Sequence, residues 1–308
     1  MPGGCCKANG SGLVTTHWFV MGAEPGDHLT GVTREELGVS IVTYHSPLRE
    51  IAATVRSLRA AAERARNDDS IARVTLWLVD NGSDDPAALD QVVAEALDPA
   101  EDWLLLRVLR GHGNVGYGAG HDLALAAGQG TWHLVLNPDV VVAPDAITEG
   151  LAYLKANPEI GMITPHAEDQ AGQRQFLCKR YPTVLVLALR GFAPPALRRR
   201  FRRLLDRYEM RDLPEWVPAR GIPIVSGCFM LARGETLRAV GGFSSRYFLY
   251  FEDFDLSLRF RQIADIAYLP KTRIVHAGGN AARKGWVHQR LFIRSALTFF
   301  STHGWRLW

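Results

Sequence analysis

Trp132-His133-Leu134-Val135-Leu136-Asn137-Pro138-Asp139 is an apolar run that stops abruptly at a polar turn, and a second apolar run, Val140-Val141-Val142, follows at once. Val135 and Leu136 carry the unbroken hydrophobicity of a strand covered on both faces. Pro138 has no N–H to give to a ladder, so the strand must end there and turn. Asp139 is thereby set at the carboxyl end of a central strand, where open α/β sheets receive their ligands. A carboxylate there, beside a short amide, suits a hard divalent cation that takes its other oxygens from water or a phosphate. An Asx turn that merely closes the strand would use the same residues.

Upstream, Val39-Ser40-Ile41-Val42-Thr43 reads as a first buried strand. Tyr44-His45 then lead into a helix with Ser46 as its expected cap, Pro47 in first position and Glu50 in the first turn. Leu48, Ile51, Val55, Leu58 and Ala62 alternate at steps of three and four, which gives a core-facing stripe. Val74 to Val79 is a second strand, ending in Asp80-Asn81-Gly82-Ser83-Asp84, and Leu104 to Leu109 a third. Strands alternating with helical stripes specify an α/β fold with a mostly parallel sheet. Polar strand ends at Thr43-Tyr44, Asp80-Asn81 and Asn137-Pro138-Asp139 point to one crevice.

Gly111-His112-Gly113-Asn114-Val115-Gly116 matches a dinucleotide-binding fingerprint and precedes a helical stripe expected at Leu123, Ala126 and Ala127. That fingerprint belongs to the first βα turn, whereas this turn follows the third strand. An NAD-dependent enzyme is therefore the lesser alternative. The glycines still permit close backbone approach, and a helix starting there offers N–H groups to an anion.

Downstream, Ile222 to Leu231 reads as a strand and Glu235 to Val240 as a helix stopped by Gly241-Gly242. An aromatic run, Tyr247-Phe248-Leu249-Tyr250-Phe251, feeds Glu252, Asp253 and Asp255, and Leu256, Phe260 and Ile263 continue it as a helix. Acids at a helix N-terminus can serve purely as caps. Ile274-Val275-His276 closes the core with a histidine at a strand end.

The 308 residues are 47% hydrophobic and 22% charged with a net charge of +3, the composition of a globular protein with room for a large core. Cys5, Cys6, Cys178 and Cys228 have neither metal-knuckle nor disulfide spacing, so a reducing cytoplasm is expected. No apolar run reaches the roughly 18 residues needed to span a bilayer. Residues 1–37 are Gly-rich and aperiodic and read as a flexible N-terminal extension. Its apolar patch, Leu13 to Met21, is broken by Thr15, Thr16 and His17 and fits a secretory signal poorly; a start at Met21 is an alternative.

Taken in order, Val-Ser-Ile-Val-Thr-Tyr, Val-Asp-Asn-Gly-Ser, Gly-Asn-Val-Gly-Tyr-Gly, Leu-Asn-Pro-Asp-Val, Val-Ser-Gly-Cys-Phe-Met-Leu, Val-Gly-Gly-Phe, Phe-Leu-Tyr-Phe-Glu-Asp-Phe-Asp-Leu and Val-His-Ala-Gly-Gly form one series. The series, from about Gly38 to Trp305, resembles the family 2 inverting glycosyltransferases, in their rhamnosyltransferase-like branch that builds bacterial O-antigen and cell-wall polysaccharide. The resemblance implies a glycosyltransferase A-type fold over 38–308, Rossmann-like with helices on both faces of the sheet. Residues 38–142 would form the nucleotide-sugar half and 143–308 the acceptor half. It implies that Thr43, Tyr44, Asp80, Asn81, Asn114, Gly116 and Asn137 serve the nucleotide sugar. Asp139 and His276 would hold Mg²⁺ or Mn²⁺, and Asp253 would be the catalytic base with Glu252 beside it. Asn137 departs from the Asp-x-Asp of many relatives and removes one negative charge. The donor would be a nucleoside-diphosphate deoxyhexose, with dTDP-rhamnose among the candidates, and the acceptor a polyprenyl-diphosphate-linked or oligosaccharide hydroxyl. A catalytically silent sugar-nucleotide-binding scaffold is the alternative from another class.

Residues 190–211 hold eight arginines, Arg190, Arg198, Arg199, Arg200, Arg202, Arg203, Arg207 and Arg211, against Asp206 and Glu209. Leu197, Phe201, Leu204, Leu205 and Tyr208 recur among them at helical spacing. The pattern fits a solvated helix packed on the core or an amphipathic helix on anionic lipid at the inner face of the plasma membrane. Nucleic acid is not expected, since no stacking-aromatic platform accompanies the charges. Trp286 to Trp308 reads as a final helix with terminal aromatics able to touch lipid or a partner.

Overall fold

A computed structural model describes residues 35–278 and 286–308; the sequence-based reading of an extension falls on residues outside this range, except that Glu36 and Leu37 open the first strand. The strands are β1 (Glu36–Thr43), β2 (Arg73–Asp80), β3 (Leu104–Leu109), β4 (Trp132–Leu136), β5 (Val140–Val142), β6 (Ile160–Glu168), β7 (Arg174–Gln175), β8 (Cys178–Lys179), β9 (Ile224–Val225), β10 (Phe229–Arg233) and β11 (Asp265–His276). The helices are α1 (Leu48–Asn67), α2 (Pro86–Ala96), α3 (Tyr117–Ala127), α4 (Ala146–Ala156), α5 (Val184–Phe192), α6 (Pro195–Arg200), α7 (Arg202–Tyr208), α8 (Gly234–Ala239), α9 (Glu252–Phe260) and α10 (Trp286–His303).

Nine strands form one sheet in the order β3-β2-β1-β4-β10-β6-β11-β5, with β7 paired to β6. β1 to β4 run parallel, β10 lies antiparallel between β4 and β6, β11 is parallel to β6, and β5 and β7 are antiparallel to their partners. β8 and β9 make a separate antiparallel pair. Alternation sorts the side chains of the sheet into two layers. Val39, Ile41, Leu134, Leu136, Phe229 and Leu231 pack with α1, α2 and α4. Val135, Met230 and Tyr268 face the other way, toward α3, α8 and α9. Helices thus cover both faces, and β4, the strand that ends at Asn137-Pro138-Asp139, is central as the sequence requires.

Several local expectations shift. Pro47, not Ser46, is the residue before α1, and the Ser46 hydroxyl accepts the N–H of Tyr44 instead of a helical one. The stretch predicted as one strand over Ile222 to Leu231 is broken: β9 and β10 are separated by Ser226-Gly227-Cys228, whose backbone turns into the site. α9 stops at Phe260, and Ile263 lies exposed beyond it. The basic stretch is not one helix; it divides at Phe201 into α6 and α7, and of its apolar stripe only Tyr208 is fully buried.

α3 departs most from its apolar pattern. Its buried face is Gly118, Gly120, His121, Ala124 and Leu125, while Leu123 is exposed. A methyl on Gly118 would stand 2.8 Å from Phe243 Cβ, and one on Gly120 2.9 Å from Val42 Cγ2, so the helix needs bare backbone to lie on the sheet. Below it, Ser40 Oγ is 2.7 Å from His121 Nδ1 and 3.0 Å from His133 Nε2. Burial pushes His121 down to about 3 and His133 to about 4, so both imidazoles stay neutral in the core.

The glycine turn before α3 also meets the aromatic run. Gly116 has φ +92°, and a Cβ there would collide with the carbonyl oxygen of Phe248, which accepts the N–H of Tyr117 at 3.1 Å. Both the left-handed backbone and the contact exclude a side chain. Gly116→Ala should therefore lower stability by about 1–3 kcal/mol, from backbone strain and displacement of the 247–251 loop. Urea unfolding checks this, and a change under about 0.5 kcal/mol, the usual range for a surface position, would contradict it.

Candidate active site

The carboxyl ends of β1, β2 and β3 carry one group of side chains. Asp80 is buried; its Oδ1 accepts the N–H groups of Gly82 and Ser83 at 3.1 and 2.8 Å, its Oδ2 accepts the Ser83 hydroxyl, and Arg110 Nε lies 3.6 Å away. Asn81 donates from Nδ2 to the Gly116 carbonyl at 2.9 Å, and its Oδ1 is 3.0 Å from His112 Nε2. Asn114 Oδ1 accepts the Gly116 N–H at 3.0 Å. Tyr44 is exposed above Gly82. Thr43 is buried, with its hydroxyl turned back to the Val79 carbonyl, so its side chain packs in the sheet. The Gly-rich turn follows β3, the edge strand, away from the first βα turn that a dinucleotide fingerprint would occupy.

The second group gathers around Tyr117, the first residue of α3. Its hydroxyl lies 2.9 Å from Asn137 Oδ1 and 2.7 Å from the Gly227 carbonyl. One phenolic proton cannot serve both acceptors fully and is shared between them. The N–H of Gly227 donates to Asp253 Oδ2 at 3.1 Å, and the N–H of Asn137 donates to the Cys228 carbonyl at 3.0 Å. Burial, followed by the fields of Cys228, Asp253, Glu252 and Asp139, drives the Tyr117 phenol well above its ordinary value, so it stays protonated among the acids. Asp139 and Asp253 therefore lie within one local field, with Asn137, Tyr117 and Gly227 linking them.

Asp139 pairs with His276. Their nearest atoms, Oδ1 and Nε2, are 3.5 Å apart, and Asp139 Oδ1 is buried without a hydrogen-bond partner among the described residues. Burial alone would raise this carboxyl, but the nearby His276, with help from the Asp139 backbone and Asn137, holds it below the usual carboxylate range. His276 Nδ1 is 2.8 Å from Gln175 Oε1, and Gln175 Nε2 donates to the carbonyls of His276 and Gly278. Gln175 thus fixes the ring with Nε2 turned to Asp139, the arrangement in which a metal-binding imidazole is oriented by its other nitrogen. An orphaned carboxylate oxygen facing an oriented imidazole nitrogen fits a divalent cation. Among the described residues no third His, Cys, Asp or Glu joins the pair, which leaves room for oxygens from elsewhere.

The third group is the acid turn. Tyr250 and Phe251 both have positive φ, 71° and 64°, immediately before α9. Two consecutive left-handed aromatic residues are strained, and strain of this kind persists only where surrounding packing enforces it. Here α10 enforces it: Phe251 packs on Phe292 and Phe299, the Tyr250 hydroxyl is 2.9 Å from His288 Nδ1, and the Ser295 hydroxyl donates to the Leu249 carbonyl. The capping explanation fails for Glu252, whose Oε2 is buried and has no partner among the described residues. Asp253 stays partly accessible and accepts from Gly227 and, through Oδ1, from the Phe254 N–H. Burial raises both carboxyls; Glu252 is raised further by the charge of Asp253. The third acid, Asp255, is fully buried against Arg259 and His303 and is structural. Sequence reasoning gave no role to Tyr117 or Gln175, although Tyr117 stands inside the Gly-Asn-Val-Gly-Tyr-Gly motif; Gln175 has no sequence signal at all.

Residues 39–213 match the family model for glycosyl transferase family 2. The N-acetylglucosaminyl-diphospho-decaprenol L-rhamnosyltransferase of Mycobacterium tuberculosis, in strains H37Rv and CDC 1551, is 28% identical over 252 residues, covering 78% of this chain and 75% of the relative. Among solved structures, GalNAc-T7 with UDP, GalNAc and Mn²⁺ superposes with a TM-score of 0.57 at 17% identity over 79% of this chain, which spans 43% of that chain. Staphylococcus aureus TarS 1-349 gives a TM-score of 0.52 at 15% identity over 87% of this chain and 72% of its own. These likenesses carry the glycosyltransferase A-type fold. By its family match, the chain belongs to glycosyl transferase family 2 and is a glycosyltransferase.

Proposed function

We propose that the protein transfers a deoxyhexose of the rhamnose kind from a nucleoside diphosphate to a hydroxyl of a polyprenyl-diphosphate-linked glycan, with inversion and in a single displacement. The observation that carries this reading is that the turns bearing Asp139 and Asp253 are joined through Asn137, Tyr117 and Gly227. The M. tuberculosis relative, named as an L-rhamnosyltransferase acting on N-acetylglucosaminyl-diphospho-decaprenol, supports the choice of sugar and acceptor. Tyr44, Asp80, Asn81, Asn114 and Gly116 are assigned to the nucleotide side, with Thr43 packed beneath them.

Asp253 is the proposed base. A hydroxyl is a poor nucleophile at neutral pH, so a positioned carboxylate has to take its proton as the bond to the anomeric carbon forms. Asp253 has a lone pair free beyond its two N–H partners and is the more accessible of the two acids. Glu252, enclosed and with an orphaned oxygen, holds the proton that the pair retains, which leaves its neighbour ionised. Asp139 and His276 would hold Mg²⁺ or Mn²⁺. When bound, that cation would neutralise charge building on the departing diphosphate. Asn137, one charge poorer than an aspartate, makes cation affinity depend more on the donor's own oxygens.

Asp253→Asn should lower kcat about 10²-fold or more, while the rise in melting temperature caused by nucleotide sugar with Mn²⁺ persists. The base must be ionised, so the wild-type rate should fall as pH falls through the raised Asp253 value, well above the ordinary carboxylate range near 4. Near-normal transfer by the variant would remove Asp253 from the mechanism. Loss of the donor-induced shift in wild type would remove nucleotide-sugar binding.

A surface bearing on the same reading surrounds α10. Trp286, Val287, Ile293 and Leu297 are exposed along the helix, and a groove of about 370 Å³ lies between Trp286, Arg290, Ile293, Arg294 and Leu297. The chain's last residues pair with the start of α5, Val184 N–H to the Arg306 carbonyl and Leu185 N–H to the Leu307 carbonyl, and α5 leads into the arginines of α6 and α7. No described helix is long and apolar enough to cross a membrane. Apolar side chains beside cations suit the surface of an anionic bilayer, each cation adding about 1 kcal/mol there. In liposome flotation the protein should rise with vesicles containing phosphatidylglycerol and stay down with phosphatidylcholine alone; equal behaviour with both would dismiss the membrane surface.

A further inference from the structure

Across β9 from the acid turn lies a group that the chemistry above does not use. Lys179 in β8 pairs with Ile224 in β9, and the next β9 residue, Val225, donates its N–H to Ser257 Oγ, whose hydroxyl donates to the Asp253 carbonyl. Lys179 is recessed beside this arrangement. Its Nζ donates to the Phe176 carbonyl at 2.6 Å, and no carboxylate of the described residues comes within ion-pair distance. It sits 5.8 Å from the centre of the Tyr208 ring, and the Arg190 guanidinium is 5.4 Å from the same centre. Tyr208 is 4% exposed, and its hydroxyl has no hydrogen-bond partner among the described residues. Arg190 and Arg211 share Glu209, at 3.4 and 2.7 Å.

A recessed ammonium with no carboxylate of the described residues within ion-pair distance, and a buried hydroxyl with no partner among them, are each costly unless something else satisfies them. Both donate, and together with the Arg190 guanidinium they call for an anion carrying several oxygens. We propose that Lys179, Tyr208 and Arg190 form a subsite for a phosphoryl group of the acceptor's diphosphate. This rests on the reading above, in which the acceptor hydroxyl approaches Asp253. The donor's diphosphate is assigned elsewhere, to the cation that Asp139 and His276 would hold. Burial, followed by the charge of Arg190, lowers Lys179 to about 8, so a bound dianion would also restore a fully charged ammonium. The same ammonium favours the ionised form of Asp253, so filling the subsite would draw part of that field onto the phosphate and leave Asp253 a stronger base.

The test uses the full chain and two acceptors that share N-acetylglucosamine: a short-chain isoprenyl diphosphate glycoside and the octyl glycoside, which has no phosphate. Titrated without donor or metal, wild type should bind the diphosphate lipid about tenfold or more tighter, a difference of about 1.4 kcal/mol. Lys179→Met should remove that preference, and Tyr208→Phe, which keeps the ring, should reduce it. In both variants the melting-temperature shift given by nucleotide sugar with Mn²⁺ should remain. Variants that keep the full preference would overturn the subsite, and so would a wild type that binds the two lipids alike. A Lys179→Met variant that loses the nucleotide-sugar shift while keeping the lipid preference would also overturn it, by assigning the cation to the donor. Failure of the transferase reading would look different: wild type would bind the lipids but move no sugar to either.

Discussion

The site depends on one phenol. Tyr117 starts α3, reaches under the cleft, and touches the turn that carries Asp139 and the turn that fixes Asp253. Those turns come from strands that run in opposite directions, β4 and β10, so no local sequence rule brings them together. Their contact is set by the antiparallel insertion of β10 beside β4 and by a buried hydroxyl that must be satisfied. Burial and the surrounding acids keep the phenol protonated, so it remains a donor throughout the pH range in which Asp253 titrates.

The reach of Tyr117 in turn requires a helix lying almost in contact with the sheet. Gly118 and Gly120 supply that closeness, and Gly116 lets the chain turn beneath Phe248. The aromatic loop above is held from the other side by α10, through the Phe251, Phe292 and Phe299 cluster. The strained backbone at Tyr250 and Phe251 aims Glu252 inward and Asp253 toward the cleft, and packing far along the chain enforces it. Position in the sheet, closeness of α3 and rigidity of the acid turn are thus one mechanical unit, with the metal-fitting pair Asp139 and His276 at its edge.

Much of this was legible in the residues. Continuous apolar runs ending in polar turns marked β1, β2 and β4, because a strand buried on both faces has no other way to read. The family resemblance singled out Asp139, His276, Glu252 and Asp253 by their motifs alone. Less was legible where function overrides pattern. The apolar rhythm of α3 was misleading because its packing face is glycine. The apolar stretch 222–231 looked like one strand, yet it breaks at Ser226-Gly227-Cys228, where the backbone serves Asp253. Thr43 sits in a motif but turns its hydroxyl into the sheet. Gln175 and Lys179 lie in two-residue strands and their side chains meet groups far away in sequence, His276 and Gly278 for one and Tyr208 for the other, so only coordinates reveal what they touch. The basic segment has helical spacing throughout but divides at Phe201, and Tyr208 and Met210 anchor it.

Asp253 as a base working by direct displacement, on the opposite face of the sugar from the departing diphosphate, requires one stereochemical outcome. Proton NMR of the freshly formed glycosidic linkage, recorded beside the donor's anomeric signal, tests this most directly. The account predicts a product of opposite anomeric configuration to the donor; a retained configuration would contradict it, whatever the metal, the sugar or the lipid.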